Sequence, residues 1–300
     1  IKDFIIVGHG YDTVPFPGEQ NSLIYGQANS SFVDRSDLLP ALSDFSHSVA
    51  IGDLNGDQYP DIYVGNVSGF ESIPPYILIN EGGDSFRKLD LPSDNFSLYE
   101  AKYSSSLIYD LDRDGISELI VGTDSSYESP SKVFSLNPET EVLTEIHSLS
   151  GGTFGDNNLT LDIKAGDING DERSDLLFLS TFNLTHQGVG MGIFIQSEDG
   201  SFIDETTVRL PDLDSEQNWF AFIELIDFDE DGDLDILTTQ LPNRGPVRYQ
   251  NDGDGNFVGI EGSFLLNGMD FYNSSIDSEF GIISAFHSSN GSVTIDQIVY

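Results

Sequence analysis

One acidic turn occurs four times at nearly constant spacing, and no other feature constrains the fold as tightly. DLNGDQYPD, DLDRDGISE, DINGDERSD and DFDEDGDLD begin at Asp53, Asp110, Asp167 and Asp227, which are 57, 57 and 60 residues apart. Numbered within each turn, oxygen-bearing side chains stand at positions 1, 3, 5 and 9. In the first turn these are Asp53, Asn55, Asp57 and Asp61; in the second, Asp110, Asp112, Asp114 and Glu118. In the third they are Asp167, Asn169, Asp171 and Asp175; in the fourth, Asp227, Asp229, Asp231 and Asp235. A fixed period of this length marks a repeat architecture.

The flanks of each turn are short and apolar. Ser48-Val49-Ala50-Ile51 leads into the first turn and Ile62-Tyr63-Val64 leaves it; Leu119-Ile120-Val121, Leu176-Leu177-Phe178-Leu179 and Ile236-Leu237 follow the others. These runs are rich in β-branched and aromatic residues and bounded by Gly, Asn and Asp, so they predict strands. Later in each unit lies a hairpin: Tyr76–Asn80 turns at Gly82-Gly83, Ile193–Gln196 at Asp199-Gly200, and Val247–Gln250 at Asn251-Asp252-Gly253. Such turns between apolar runs are strong hairpin signals. The remaining unit is weaker, with Val133–Leu136 turning at Asn137-Pro138. Helical periodicity is absent. About four strands per period predict an all-β fold, a β-propeller of four-stranded antiparallel blades. A β-solenoid has much shorter coils than this period.

Hard oxygens on alternate residues of a tight turn converge on one point. A divalent cation removes their mutual repulsion, and Ca²⁺ takes 6 to 8 oxygens. The backbone carbonyl at position 7, from Tyr59, Ile116, Arg173 or Asp233, is the natural additional ligand. Glycine at position 4 (Gly56, Gly170) or 6 (Gly115, Gly232) lets the turn close. An EF-hand needs Glu at position 12 and flanking helices. Here position 12 is Val64, Val121, Phe178 or Thr238, so that reading fails. Mg²⁺ keeps more of its waters, and transition metals prefer His or Cys. About four structural Ca²⁺ ions are expected, set against the plain reading of acidic surface turns.

Composition narrows the function classes. Twelve Lys and Arg against 51 Asp and Glu give a formal net charge of −39, which repels nucleic acid and anionic membranes. The 21 Phe, 12 Tyr and 38% hydrophobic residues argue for a packed core rather than acidic disorder. Without cysteine, disulfides and thiolate metal sites are excluded. No apolar run approaches the length of a membrane-spanning helix. A start at Ile1, with neither Met nor a leader, is expected of a piece of a larger chain.

The four turns resemble the FG-GAP/VCBS repeat, the calcium-loop blade of integrin α-chain heads; FVDRSDLLP, FSHSVAIGD and YQNDGDGNF are similar to stretches of secreted bacterial VCBS-repeat proteins. The likeness covers most of residues 1–268 and implies one propeller domain over 1–300, with the calcium loop between the first and second strands of each blade. Its repeats run over about 1–44, 45–102, 103–158, 159–217 and 218–268, with 269–300 closing the ring or beginning a further blade. Asp3 matches position 9 of a turn whose earlier ligands are absent, so a fifth blade shared between the termini is expected, or up to seven in a longer chain.

The resemblance also implies a binding face opposite the calcium loops. On that face Tyr11, Asp12, Phe70, Tyr127, His186 and Trp219 are the candidate ligand contacts, suited to sugar rings; packing between blades is the competing role for Trp219. His47 is expected to be structural, and His9, His147, His186 and His287 show no metal-ligand spacing. Asn-x-Ser/Thr sequons at Asn29, Asn66, Asn95, Asn158, Asn183, Asn273 and Asn290 are glycan acceptors in a secreted eukaryotic protein and incidental otherwise. No catalytic fingerprint appears. The expected function is a secreted or surface, non-catalytic adhesion module for carbohydrate or protein. A polysaccharide lyase or hydrolase is the alternative, and a structural spacer a third reading.

Overall fold

Each apolar run of the repeat becomes a strand. The computed structural model describes residues 3–10, 17–29, 31–66, 73–91, 103–123, 130–153, 158–182, 187–210, 222–238, 248–260, 271–277, 281–287 and 293–298. The chain divides into two compact units, residues 1–149 and 150–300.

The first unit holds three sheets. β1 (Phe4–Ile6), β2 (Ser22–Gly26) and β3 (Phe32–Asp34) form a three-stranded sheet. β4 (Ser46–Gly52), β5 (Asp61–Asn66), β6 (Tyr76–Asn80) and β7 (Phe86–Asp90) form a four-stranded one. β8 (Tyr103–Tyr109), β9 (Glu118–Thr123), β10 (Ser131–Asn137) and β11 (Val142–Leu149) form another. In the second unit β12 (Asn158–Gly166), β13 (Asp175–Phe182), β14 (Gln187–Gln196) and β15 (Phe202–Asp204) make a four-stranded sheet. β16 (Ile223–Ile226), β17 (Asp235–Thr238), β18 (Arg248–Asn251) and β19 (Phe257–Ile260) make the next. β20 (Phe271–Asp277), β21 (Gly281–His287) and β22 (Val293–Ile298) make a three-stranded one. Neighbours in every sheet are consecutive in sequence and antiparallel, as short connections favour. Among the described residues helix is confined to single turns at Ser36–Leu38 and Thr206–Arg209, and no helix is long and apolar enough to cross a membrane.

β1 pairs with β2 (Phe4↔Ile24), and β20 with β21 (Ser274↔Ser284), so among the described residues each terminal segment forms a sheet of its own.

Packing explains why the run after each acidic turn is apolar without alternation. In β5, Ile62 and Val64 join Leu23, Tyr76 and Leu78 in one cluster with the first sheet. Tyr63, between them, faces the other way into a cluster with Leu119, Val121 and Phe134 of the third. A strand covered on both faces has no solvent side to carry polar residues. In the second unit Leu177, Leu179 and Ile193 pack with Ile223, Ile236 and Tyr249 in the same manner. Each such side chain contributes about 1.5–3 kcal/mol by leaving water. The first strands of successive sheets lie side by side, β4 with β8 and β12 with β16.

Candidate metal centres

The acidic turns connect β4 to β5, β8 to β9, β12 to β13 and β16 to β17, and one backbone scheme builds all four. The position 1 carboxylate accepts N–H groups from across the turn. Asp53 accepts from Gly56 and Gln58 at 2.7 and 2.6 Å, and Asp110 from Asp114 and Gly115 at 3.1 and 3.0 Å. Asp167 accepts from Asp171 and Glu172 at 3.0 and 2.8 Å, and Asp227 from Asp231 and Gly232 at 3.1 and 3.0 Å. The position 5 carboxylate accepts the position 7 N–H, from Tyr59, Ile116, Arg173 or Asp233. Positions 4 and 6 are both left-handed in every turn. Glycine fills one (Gly115 φ 91°, Gly232 φ 97°), and Gln58, Arg113, Glu172 and Glu230 bear the strain at the other.

The position 9 carboxylate lies beneath each turn. Asp61, Glu118, Asp175 and Asp235 are buried. Each accepts the N–H of position 2: Leu54 at 3.1 Å, Leu111 at 2.9 Å, Ile168 at 2.9 Å and Phe228 at 3.2 Å. Three accept a second N–H from the end of the third strand, Asn80, Gln196 and Asn251, at 2.8, 2.9 and 2.8 Å. The spacing of the acidic residues does not reveal these partners, although an amide residue closes the third strand of all four units (Asn80, Asn137, Gln196, Asn251). Among the described residues no Lys or Arg forms an ion pair with any of the four. Burial pushes Asp61 and Asp175 up to about 6 and Glu118 up to about 7, against the lowering pull of the N–H donors, and the loop carboxylates above add to the rise. Asp235 is raised for the same reasons.

The turns diverge at position 3. In the second and fourth, three carboxylates gather: Asp110, Asp112 and Glu118, and Asp227, Asp229 and Asp235, with ligand oxygens within 4.8 Å of one another in each group. Each of these two triads could hold a metal ion. The fourth turn adds Asp233, whose Oδ1 is buried without a hydrogen-bond partner; its carboxyl is pushed up to about 6 by burial and by Asp231 and Asp235. In the first and third turns the amide of Asn55 donates to Asp57 at 3.1 Å, and that of Asn169 to Asp171 at 2.8 Å. The Arg173 guanidinium also bonds Asp171 and donates to the Gln196 carbonyl at 2.9 Å. Arg173, expected to offer only its carbonyl, thus places a positive charge on the position 5 carboxylate. Within the first unit the first two turns adjoin, with the Ser117 N–H donating to the Asp53 carbonyl at 2.7 Å.

Beside the second turn is a cavity of about 430 Å³ lined by Asp112, Asp114, Glu118, Asn137 and Thr144. The ligand-face candidates Tyr11, Asp12, Phe70, Tyr127, His186 and Trp219 lie outside the described residues. Among the described residues the sequon asparagines Asn66 and Asn158 are buried, and the Asn66 amide donates to Asp44 at 2.9 Å, so neither presents a free acceptor nitrogen to solvent in the folded chain.

No family model matches the chain, and no curated protein matches it. Among solved structures it is similar to the exotype rhamnogalacturonan lyase YesX, with TM-score 0.44 and 12% identity over 99% of this chain and 52% of that one. It is similar to a biofilm matrix protein of V. cholerae, with TM-score 0.45 and 18% identity over 87% of this chain and 39% of that one. A GH43 beta 1,3 galactosidase bound to galactodeoxynojirimycin gives TM-score 0.46 and 7% identity over 99% of this chain and 90% of that one. The chain spans about half the length of the lyase and less of the matrix protein. Likenesses of this depth assign no activity.

Proposed function

We propose that the chain is a calcium-loaded β-propeller that works outside the cell as a binding module for carbohydrate or protein. The observation that carries the reading is the buried position 9 carboxylate, held by backbone N–H groups beneath a cluster of further oxygens. A bare carboxylate in that place costs several kcal/mol of desolvation. A divalent ion coordinated from above offsets it, and oxygen donors alone suit Ca²⁺. Within each unit the side-by-side first strands support sheets packed as neighbouring blades. Extracellular calcium fills even weak sites of this kind, with Kd of about 10⁻⁴–10⁻³ M. The choice of ligand rests on the aromatic residues Tyr11, Phe70, Tyr127 and Trp219, read from the sequence alone. Melting in calcium and in EGTA tests the metal: chelation should lower Tm by roughly 10 °C or more if two or more sites each contribute about 2–3 kcal/mol. An unmoved Tm would remove calcium from the structure.

A second reading, a polysaccharide lyase or hydrolase, draws on one group outside the turns. Lys164 Nζ lies 3.6 Å from Asp162 and 3.2 Å from Glu224, on β12 and β16, and burial raises both carboxyls despite that charge. Titratable groups perturbed by burial and a charge partner mark candidate catalytic positions. Incubation with a polysaccharide panel separates the readings. Retention without product supports the module, and released product that is lost in Glu224→Gln supports the enzyme.

A further inference from the structure

Two histidines meet at the start of β4. Ser46 pairs with Asn66 and Ser48 with Gly65, so His47 is the extra residue of a β-bulge. Bulges re-aim side chains, and His47 is exposed although both neighbours are buried. The segment after β1 comes alongside. The Gly8 carbonyl accepts the Ser46 N–H at 3.0 Å, one residue before each histidine, which sets His9 beside His47. Their Nε2 atoms are 3.1 Å apart.

The position is built from below. Buried Asp44 accepts from Asn21 at 2.9 Å, from the Tyr76 hydroxyl at 2.8 Å and from Asn66 at 2.9 Å. Asn21 accepts the Gly8 N–H at 2.7 Å, and Asn66 accepts the Ser46 hydroxyl at 2.9 Å. Both histidine-bearing segments are therefore fixed to one satisfied polar network. Phe45, buried, backs the two rings at centroid distances of 4.5 and 5.1 Å.

We infer that His9 and His47 form an open two-histidine site for a borderline divalent cation of the Zn²⁺ class. Two imidazole nitrogens, each about 2.05 Å from a tetrahedral zinc, stand about 3.3 Å apart, close to the observed spacing. Neutral imidazole suits Zn²⁺, Ni²⁺ and Cu²⁺, whereas the acidic turns offer hard oxygens. Two protein ligands leave two positions of the ion for water or for an oxygen ligand. Preorganisation by the Asp44 network lowers the ordering cost of binding.

The test is calorimetric titration of the full chain with Zn²⁺ in excess calcium, comparing wild type with His9→Ala, His47→Ala and the half-buried control His147→Ala. One Zn²⁺ more per chain in wild type and in His147→Ala, weakened at least tenfold in each of the other two, is expected. Circular dichroism and Tm in calcium verify that the variants fold, with His47→Gln as a second substitution at the bulge. Electron paramagnetic resonance with Cu²⁺ adds an independent readout: two coupled nitrogens in wild type and one in each single variant. Zinc binding and copper spectra indistinguishable between wild type and the His9 and His47 variants would overturn the site and leave the pair as a hydrogen bond.

Discussion

The second and fourth acidic turns share their backbone with the first and third, yet differ in what occupies position 3. In Asp112 and Asp229 it is a carboxylate; Asp112 accepts the Asp114 N–H and Asp229 the Gln250 amide, and among the described residues no Lys or Arg forms an ion pair with either. In Asn55 and Asn169 it is an amide that turns its NH₂ onto the position 5 carboxylate, and in the third turn Arg173 adds a positive charge to the same carboxylate. One scaffold thus carries both cation-hungry and partly self-neutralised versions of a turn. Loop shape sets where oxygens go, while a single amide or guanidinium would set how much a bound ion gains.

Breaking that contrast gives the largest expected effect. Asp227→Ala and Asp110→Ala should each remove one calcium and about 2–3 kcal/mol of calcium-dependent stability, whereas Asp167→Ala should cost less, read by melting with and without EGTA. Equal losses at all three turns would erase the distinction.

Acidity is the next lever. With folded-state values of about 6 for Asp61 and Asp175 and about 7 for Glu118, the calcium-free protein holds protons that the unfolded chain has released above about pH 4. Its stability should therefore fall as pH rises from about 4 to 7. With calcium bound the sign reverses, because protons compete with the ion, and calcium-dependent stability should be lost as pH drops below about 6. Urea unfolding at several pH values, in calcium and in EGTA, reads both slopes.

Smaller changes sharpen the comparison. Asn169→Asp should raise calcium affinity of the third turn about tenfold, or about 1.4 kcal/mol, while lowering calcium-free stability. Arg173→Ala should strengthen the same site by less than about 1 kcal/mol, since the guanidinium is partly exposed and its pairing is screened. Calcium titration by calorimetry measures both.

Strands, hairpins and acidic turns were legible because each is written locally: apolar runs, Gly-rich turns and a period near 57 residues. Even the weak hairpin at Asn137-Pro138 forms, with the Asn137 side chain accepting the N–H groups of Glu139 and Thr140. Partners distant in sequence were hidden. His9 and His47 are 38 residues apart, and only the bulge at His47 and the Gly8–Ser46 bond bring them together. The Asp44 network joins positions 21, 44, 66 and 76, none of which carries a spacing signal. Arg173 was hidden for another reason: position 7 was read through its carbonyl, and a side chain folding back onto its own turn leaves no mark in the pattern.

The most direct measurement is a high-resolution crystal structure grown in millimolar calcium. The account predicts ions in the second and fourth turns, each bound by 6 to 8 oxygens at about 2.3–2.6 Å, with the position 9 carboxylate among them. Water alone in those turns, or their carboxylates splayed into solvent at that calcium concentration, would contradict it.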